Sequence, residues 1–143
     1  VLDLFAGVGL FTAPIADAVG AGGRVDAVEG DRVAAKYLAR NTKGWDYVNA
    51  IHDEVAKWLK ARMVRKVDAV VLDPPRAGAN AQVVEAIARL KPSRVVYVAC
   101  DPGALARDAK LFAEAGYELT ALEARDAFPM TQHFECFGLF TAK

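Results

Sequence analysis

Cysteine is scarce: it occurs twice in 143 residues, at Cys100 and Cys136, with no Cys-x-x-Cys or Cys/His pairing nearby. That excludes a disulfide framework and a zinc site, leaves no metal site to expect, and points to a reducing, cytoplasmic setting. An excess of charge of either sign is also lacking, since 18 Lys and Arg balance 18 Asp and Glu. A polybasic coat and an acidic tail are therefore excluded, and any nucleic-acid partner would need a local patch or a further domain. No apolar run approaches the ~20 residues that cross a bilayer, so a soluble chain with no membrane role is expected. There is no starting methionine and no signal-like segment, because the chain opens directly on strand-like "VLDLF". This reads as a domain cut from a longer protein. Repeats, low-complexity tracts and linkers are missing too, which implies one domain over 1–143, with a monomer as its expected state. A domain of this length buries roughly two-thirds of the surface its unfolded chain exposes, so a sizeable core is expected.

What is present is alternation. Runs rich in Val and Ile read as strands at Val1 to Phe5, Arg24 to Glu29, Tyr47 to Ile51, Val67 to Asp73 and Arg94 to Ala99. Helical patterns separate them near Leu10 to Val19, Arg32 to Asn41, Glu54 to Val64, Asn80 to Leu90 and Pro102 to Ala115. Strands alternating with helices imply a parallel sheet covered on both faces. Two final strands, Glu118 to Ala124 and Phe134 to Thr141, are joined by a loop too short for a helical crossover and should pair antiparallel. The expected fold is α/β and doubly wound, a Rossmann-like, mostly parallel seven-stranded sheet of the class I methyltransferase type, closed by an antiparallel hairpin.

"DLFAGVGLFT" puts Gly7 and Gly9 in the turn after the first strand, where a missing Cβ lets backbone amides approach a ligand at a helix start. A third glycine would complete a dinucleotide fingerprint, but position 12 is Thr12, which argues against a dehydrogenase. Glu29 follows Gly9 by twenty residues, the interval at which a strand-end carboxylate accepts both hydroxyls of a ribose. A solvated strand-end acid is the plain alternative, with Asp31 capping the next helix. The pairing with the glycine turn favours a nucleoside. Asp53 has two open readings, contact with an adenine amino group or a helix cap.

"VVLDPPRAG" ends the fourth strand with Asp73, Pro74, Pro75 and Arg76, at the carboxyl edge where open α/β sheets bind ligands. The two prolines cannot donate backbone hydrogen bonds and hold the chain extended. Cys100 ends the fifth strand at the same edge and precedes Asp101 as N-cap and Pro102 as first helical residue. A helix start favours a nearby anion and hence a thiolate, while the charge of Asp101 opposes it. In "MTQHFECFGLF", alternation puts His133 and Glu135 on one strand face and Phe134 and Cys136 on the other. Cys136 is thereby assigned to the core. Glu135, a charge in an apolar strand, is either an exposed edge residue or a general base.

With these motifs assembled, the chain resembles the S-adenosylmethionine-dependent RNA uracil-C5 methyltransferases, through "DLFAGVG", "VEGD", "LDPPRAG", "ACDPGALARD" and "FPMTQHFE", in the family's order. The resemblance implies that Phe5, Glu29 and Asp73 contact the cofactor, S-adenosylmethionine, with Gly7 and Gly9 shaping its loop. It makes Cys100 the nucleophile and Glu135 the base. It also implies an RNA partner, transfer or ribosomal, and an upstream RNA-binding domain outside these residues. Leu10 stands where the family carries Asn, and Ala99-Cys100-Asp101-Pro102 replaces the usual Ser-Cys-Asn-Pro.

Two other functions compete. An amino-group methyltransferase acting on adenine N6 would use the Asp-Pro-Pro-Arg turn and need no thiol. A degenerate cofactor-binding or RNA-binding module would bind without turnover. Lys57, Lys60, Arg62, Arg65 and Lys66 form either a solvated helix face or an RNA-facing patch.

Overall fold

A computed structural model describes residues 1–61, 66–127, 129–131 and 134–143. Two compact units emerge, Val1–Met63 and Val64–Lys143.

In the first unit, β1 (Leu2–Leu4), β2 (Val25–Glu29) and β3 (Val48–His52) alternate with α1 (Thr12–Val19), α2 (Arg32–Asn41) and α3 (Val55–Ala61). The three strands are parallel in the order β3-β2-β1, with Leu4 opposite Val28 and Glu29 opposite His52. β1 and most of β2 are buried, which is why they read as near-continuous apolar runs. Asp31 caps α2, accepting hydrogen bonds from the Val33 amide at 2.9 Å and the Ala34 amide at 2.8 Å. This supplies acceptors for two amides that have no partner within the helix.

β1 is shorter than its apolar run. Phe5 has φ of 60°, a left-handed conformation that ends the strand. Gly7 at 56° and Gly9 at 99° continue the turn, so α1 begins at Thr12 rather than Leu10. The expected end of α3 runs into residues outside those described.

The second unit holds β4 (Ala69–Leu72), α4 (Asn80–Arg89), β5 (Arg94–Ala99), α5 (Pro102–Glu114), β6 (Tyr117–Arg125) and β7 (Glu135–Ala142). β4 and β5 are parallel, whereas β7 pairs antiparallel with both β5 and β6. The final hairpin is therefore present as the short connection required. A bulge between Leu119 and Ala121 interrupts it. Phe112 of α5 stacks on Phe140 of β7 at 4.8 Å and meets Tyr117 edge-on at 5.9 Å, which fastens the helix to the hairpin. Among the described residues no helix is long and apolar enough to cross a membrane.

Candidate active site

The glycine turn of the first unit is built around Glu29. Oε2 of Glu29 accepts from the Gly7 amide at 2.7 Å, and Oε1 accepts from the Asp31 amide at 2.6 Å. One carboxylate thus joins the turn after β1 to the start of α2. Each oxygen keeps a second lone pair, so Glu29 retains capacity for a further hydroxyl. A Cβ on Gly7 would meet nothing within 4 Å, leaving open space beside the turn. A Cβ on Gly9 would lie 3.1 Å from Leu38 Cδ1, so this glycine also permits close packing on α2.

Phe5 is half-buried in its left-handed conformation. That geometry costs a non-glycine residue about 1–2 kcal/mol, strain that must be held by the surrounding structure. The Ala6 amide, which donates to the Val28 carbonyl at 3.0 Å, supplies part of that hold. Asn41 Nδ2 also donates to the Val8 carbonyl at 2.9 Å, bracing the turn from α2. Leu10 is 73% exposed.

Sequence reasoning missed one feature of this turn. Thr12 is fully buried and its hydroxyl donates to Asp3 Oδ2 at 2.5 Å. The signal was an acid inside an apolar strand, paired with a polar residue at the following helix start.

Asp53 accepts from the Glu54 amide and from Lys57 Nζ, each at 2.9 Å. The Lys57 hydrogen bond is the main reason its carboxyl lies below the usual range. Glu54, not Asp53, accepts from the Ala56 and Lys57 amides at 3.2 Å and supplies the cap that sequence had offered to Asp53. Of the suggested basic patch, Lys57 is paired, Lys60 is exposed and Lys66 lies 3.6 Å from Asp68. Arg62 and Arg65 fall outside the described residues.

The second unit gathers three chemistry-bearing residues. Asp73 leaves the end of β4 half-buried. Burial, and then the charge of Glu135, push its carboxyl up to about 6. Cys100 leaves the end of β5 and is partly accessible, whereas Cys136 is 5% exposed and belongs to the core as expected. Burial, followed by the Glu135 charge, raises the Cys136 thiol, which disfavours its thiolate. Ala99 pairs with Cys136 in the antiparallel ladder between β5 and β7, so Cys100 directly follows one member of that pair and Glu135 directly precedes the other. Asp101 adopts an extended conformation and accepts from the Ala104 amide at 2.7 Å, with Pro102 starting the helix. Its carboxylate is therefore engaged by the helix start beside the thiol. Phe134 is exposed, and His133 lies outside the described residues.

The first unit thus carries a glycine turn with a tethered carboxylate, and the second a partly accessible thiol and two mutually interacting acids, Asp73 and Glu135. Residues 24–143 match the family model described as tRNA (uracil-5-)-methyltransferase. A 23S rRNA (uracil(1939)-C(5))-methyltransferase, RlmD of Shewanella sediminis, is 41% identical over 143 residues, covering 98% of this chain and 31% of that protein. The RNA methyltransferase SCO5901 of Streptomyces coelicolor, described as uncharacterized, is 42% identical over 138 residues, covering 96% of this chain and 30% of its own length. The chain spans about a third of the curated relatives it matches. The solved structure of Pyrococcus abyssi tRNA (uracil-54, C5)-methyltransferase in complex with S-adenosyl-L-homocysteine superposes with a TM-score of 0.81 at 30% identity, covering 98% of this chain and 33% of that one. Aeropyrum pernix fibrillarin, solved with S-adenosyl-L-methionine, shares the fold at a TM-score of 0.76 and 18% identity, over 96% of this chain and 64% of that one.

Proposed function

The chain belongs to the tRNA (uracil-5-)-methyltransferase family, and on that premise we propose that residues 1–143 are a catalytic domain moving a methyl group from S-adenosylmethionine to C5 of an RNA uridine. The observation that supports this reading is the Ala99 and Cys136 pair of the β5–β7 ladder, which Cys100 and Glu135 adjoin, with Asp73 close enough to feel the charge of Glu135.

S-adenosylmethionine supplies an electrophilic methyl on a sulfonium. The residues of the first unit suit its adenosine end. Gly7 leaves open space where a side chain would stand, and Glu29 offers ribose hydroxyls an oriented carboxylate. Phe5 is held beside that turn, while Asp73, in the second unit, has the burial of a ligand-facing acid. Asp53, already engaged by Lys57, would reach an adenine amino group only through its remaining acceptor capacity.

Uracil C5 needs activation. The Cys100 thiolate adds to C6, forming a carbon–sulfur bond and pushing the ring electrons toward O4 as an enolate. C5 of that enolate would take the methyl group as the sulfonium carbon–sulfur bond breaks, leaving the neutral thioether S-adenosylhomocysteine. Glu135 then removes the C5 proton as general base, the C5=C6 double bond re-forms, and the bond to Cys100 breaks. The uridine must leave its stack to reach these groups, as bases do for enzymes acting on their ring atoms. On this reading the substrate is transfer or ribosomal RNA and the setting cytoplasmic, as expected for the family's reaction.

The test is covalent trapping. RNA containing 5-fluorouridine cannot yield a C5 proton, so with cofactor it should leave a stable protein–RNA adduct seen by denaturing electrophoresis. An adduct that forms equally with Cys100→Ala would remove the assigned nucleophile. Methylation at adenine N6 that survives Cys100→Ala would establish the amino-group reaction instead, and cofactor binding without any turnover would leave a binding module.

A further inference from the structure

Asp108 is an ionisable side chain with no exposed surface, in the second turn of α5 and away from both Cys100 and Glu135 in sequence. A charge in such a place is unfavourable unless hydrogen bonds surround it. They do. Its Oδ2 accepts from the Ala79 amide and from the Tyr97 hydroxyl, both at 2.7 Å. The Ala79 amide also lies 3.1 Å from the Tyr97 oxygen, which closes a triangle of three groups. Oδ1 of Asp108 accepts from Arg107 Nε at 3.3 Å, and Arg107 Nη2 donates to the Ala77 carbonyl at 2.5 Å.

These contacts converge on one loop. Ala77, Gly78 and Ala79 are the far end of the turn that begins with Asp73, and each is tied or closely approached. The Gly78 amide donates to the Pro75 carbonyl at 2.7 Å. Gly78 has φ of +84°, and a Cβ there would lie 2.5 Å from Asp108 Oδ2, so only glycine lets backbone and carboxylate come so close. Pro74 and Pro75 have no amide hydrogens with which to fasten the near end of the turn. On the other side of the contact, Tyr97 lies in β5 shortly before Cys100, while Arg107 and Asp108 lie on the helix that starts just after it.

We propose that Asp108, Tyr97 and Arg107 form a positioning clamp that holds the Asp73-Pro74-Pro75-Arg76 turn against the strand and helix flanking Cys100. None of the three acts on substrate. They act through Asp73 and Cys100, fixing from α5 a spacing that the proline turn cannot fix for itself. An apolar side chain in place of Asp108 could fill the volume, but a buried carboxylate satisfied by several donors specifies one loop geometry. As a statement about rate, the clamp rests on the proposed methyl transfer. As a statement about the loop, it does not.

The experiment uses the natural full-length protein with Tyr97→Phe, with Asp108→Asn as a second variant, and with Phe112→Leu as a comparison of core packing on the same helix. Hydrogen exchange should show the Gly78 and Ala79 amides losing protection by ten-fold or more in Tyr97→Phe and Asp108→Asn, and keeping it in Phe112→Leu. Single-turnover methyl transfer at saturating RNA and cofactor should slow about 10- to 100-fold in the two clamp variants, the scale on which a small misplacement acts. The slowing should persist at saturating cofactor and RNA, so that it reads the transfer step and is not recovered by raising either concentration. Lost protection with an unchanged single-turnover rate would overturn the positioning role. Retained protection in both clamp variants would overturn the clamp itself. If the unsubstituted protein methylates no uridine, the proposed reaction falls, and the exchange result still decides the clamp.

Discussion

Cys100 and Glu135 adjoin one rung of the sheet, the Ala99 and Cys136 pair in the antiparallel ladder joining β5 to β7. The antiparallel direction of β7 produces this. A parallel strand arriving at the same edge would bring its carboxyl end to the thiol, whereas β7 brings its first residue. Asp73 completes the group, since Glu135's charge contributes to holding its carboxyl up to about 6.

Cys100 and Glu135 should separate the steps of the reaction. Cys100→Ala should abolish both methyl transfer and the adduct with 5-fluorouridine RNA. Glu135→Gln should keep adduct formation on normal RNA while slowing product release about 10²- to 10⁴-fold, the usual contribution of a positioned base. Electrophoresis of the adduct and counting of transferred methyl groups read the two steps independently.

Asp73 should make stability depend on pH in a defined direction. Its folded value, raised from 3.8 to about 6, means that the folded protein holds the proton more tightly than the unfolded chain. The stabilisation is full below pH 3.8 and is lost as pH rises to about 6. Asp73→Asn should therefore raise stability above that range by about 1–3 kcal/mol, with no gain at lower pH. Denaturant titrations of both proteins across these pH values check it, alongside the loss of activity expected of a ligand-facing acid.

Gly7 and Gly9 should differ in cost. Both have positive φ, but only Gly9 would also press a Cβ onto Leu38, at 3.1 Å. Gly7→Ala should destabilise by about 1 kcal/mol, and Gly9→Ala by about 2 kcal/mol or more. Cofactor titration should show weakened binding in both variants, because both reshape the turn beside Glu29.

Asp101→Asn should preserve the helix cap while removing a charge beside the thiol, because the amide oxygen still accepts from Ala104. Iodoacetamide should then alkylate Cys100 about two- to five-fold faster at neutral pH, the scale of one unit charge acting through a solvated site. Asp101→Ala should in addition lose about 1 kcal/mol of stability with its cap. An unchanged alkylation rate in Asp101→Asn would show that the cap already screens its charge from the sulfur.

Much of the fold was legible because its signals are local. Arg32–Asn41 and Arg94–Ala99 have the bounds expected from periodicity, and Asp31 and Asp101 cap the helices that follow them. Strand and helix patterns repeat within a few residues, and a cap acts over three. Cys136 was assigned to the core by alternation alone, and it is buried. β1 ended early for a reason composition does not carry: Phe5 takes a left-handed backbone that its side chain disfavours. Of the two readings open for Asp53, the helix-cap one passes to Glu54, an equally good acceptor that stands beside it.

By itself, the sequence determined the order of strands and helices, the sheet-edge positions of Glu29, Asp73 and Cys100, and the family's motifs, because these depend on neighbours along the chain. Tertiary structure alone decided which groups meet. Glu29 bonds an amide 22 residues away, Asp108 an amide 29 away, and the hairpin brings Glu135 beside the rung that Cys100 adjoins. Such contacts are set by packing and strand register, and burial then tunes the acids they bring together. That is why Asp73 could be recognised in the sequence as a site residue, while its raised carboxyl and the clamp on its loop could not.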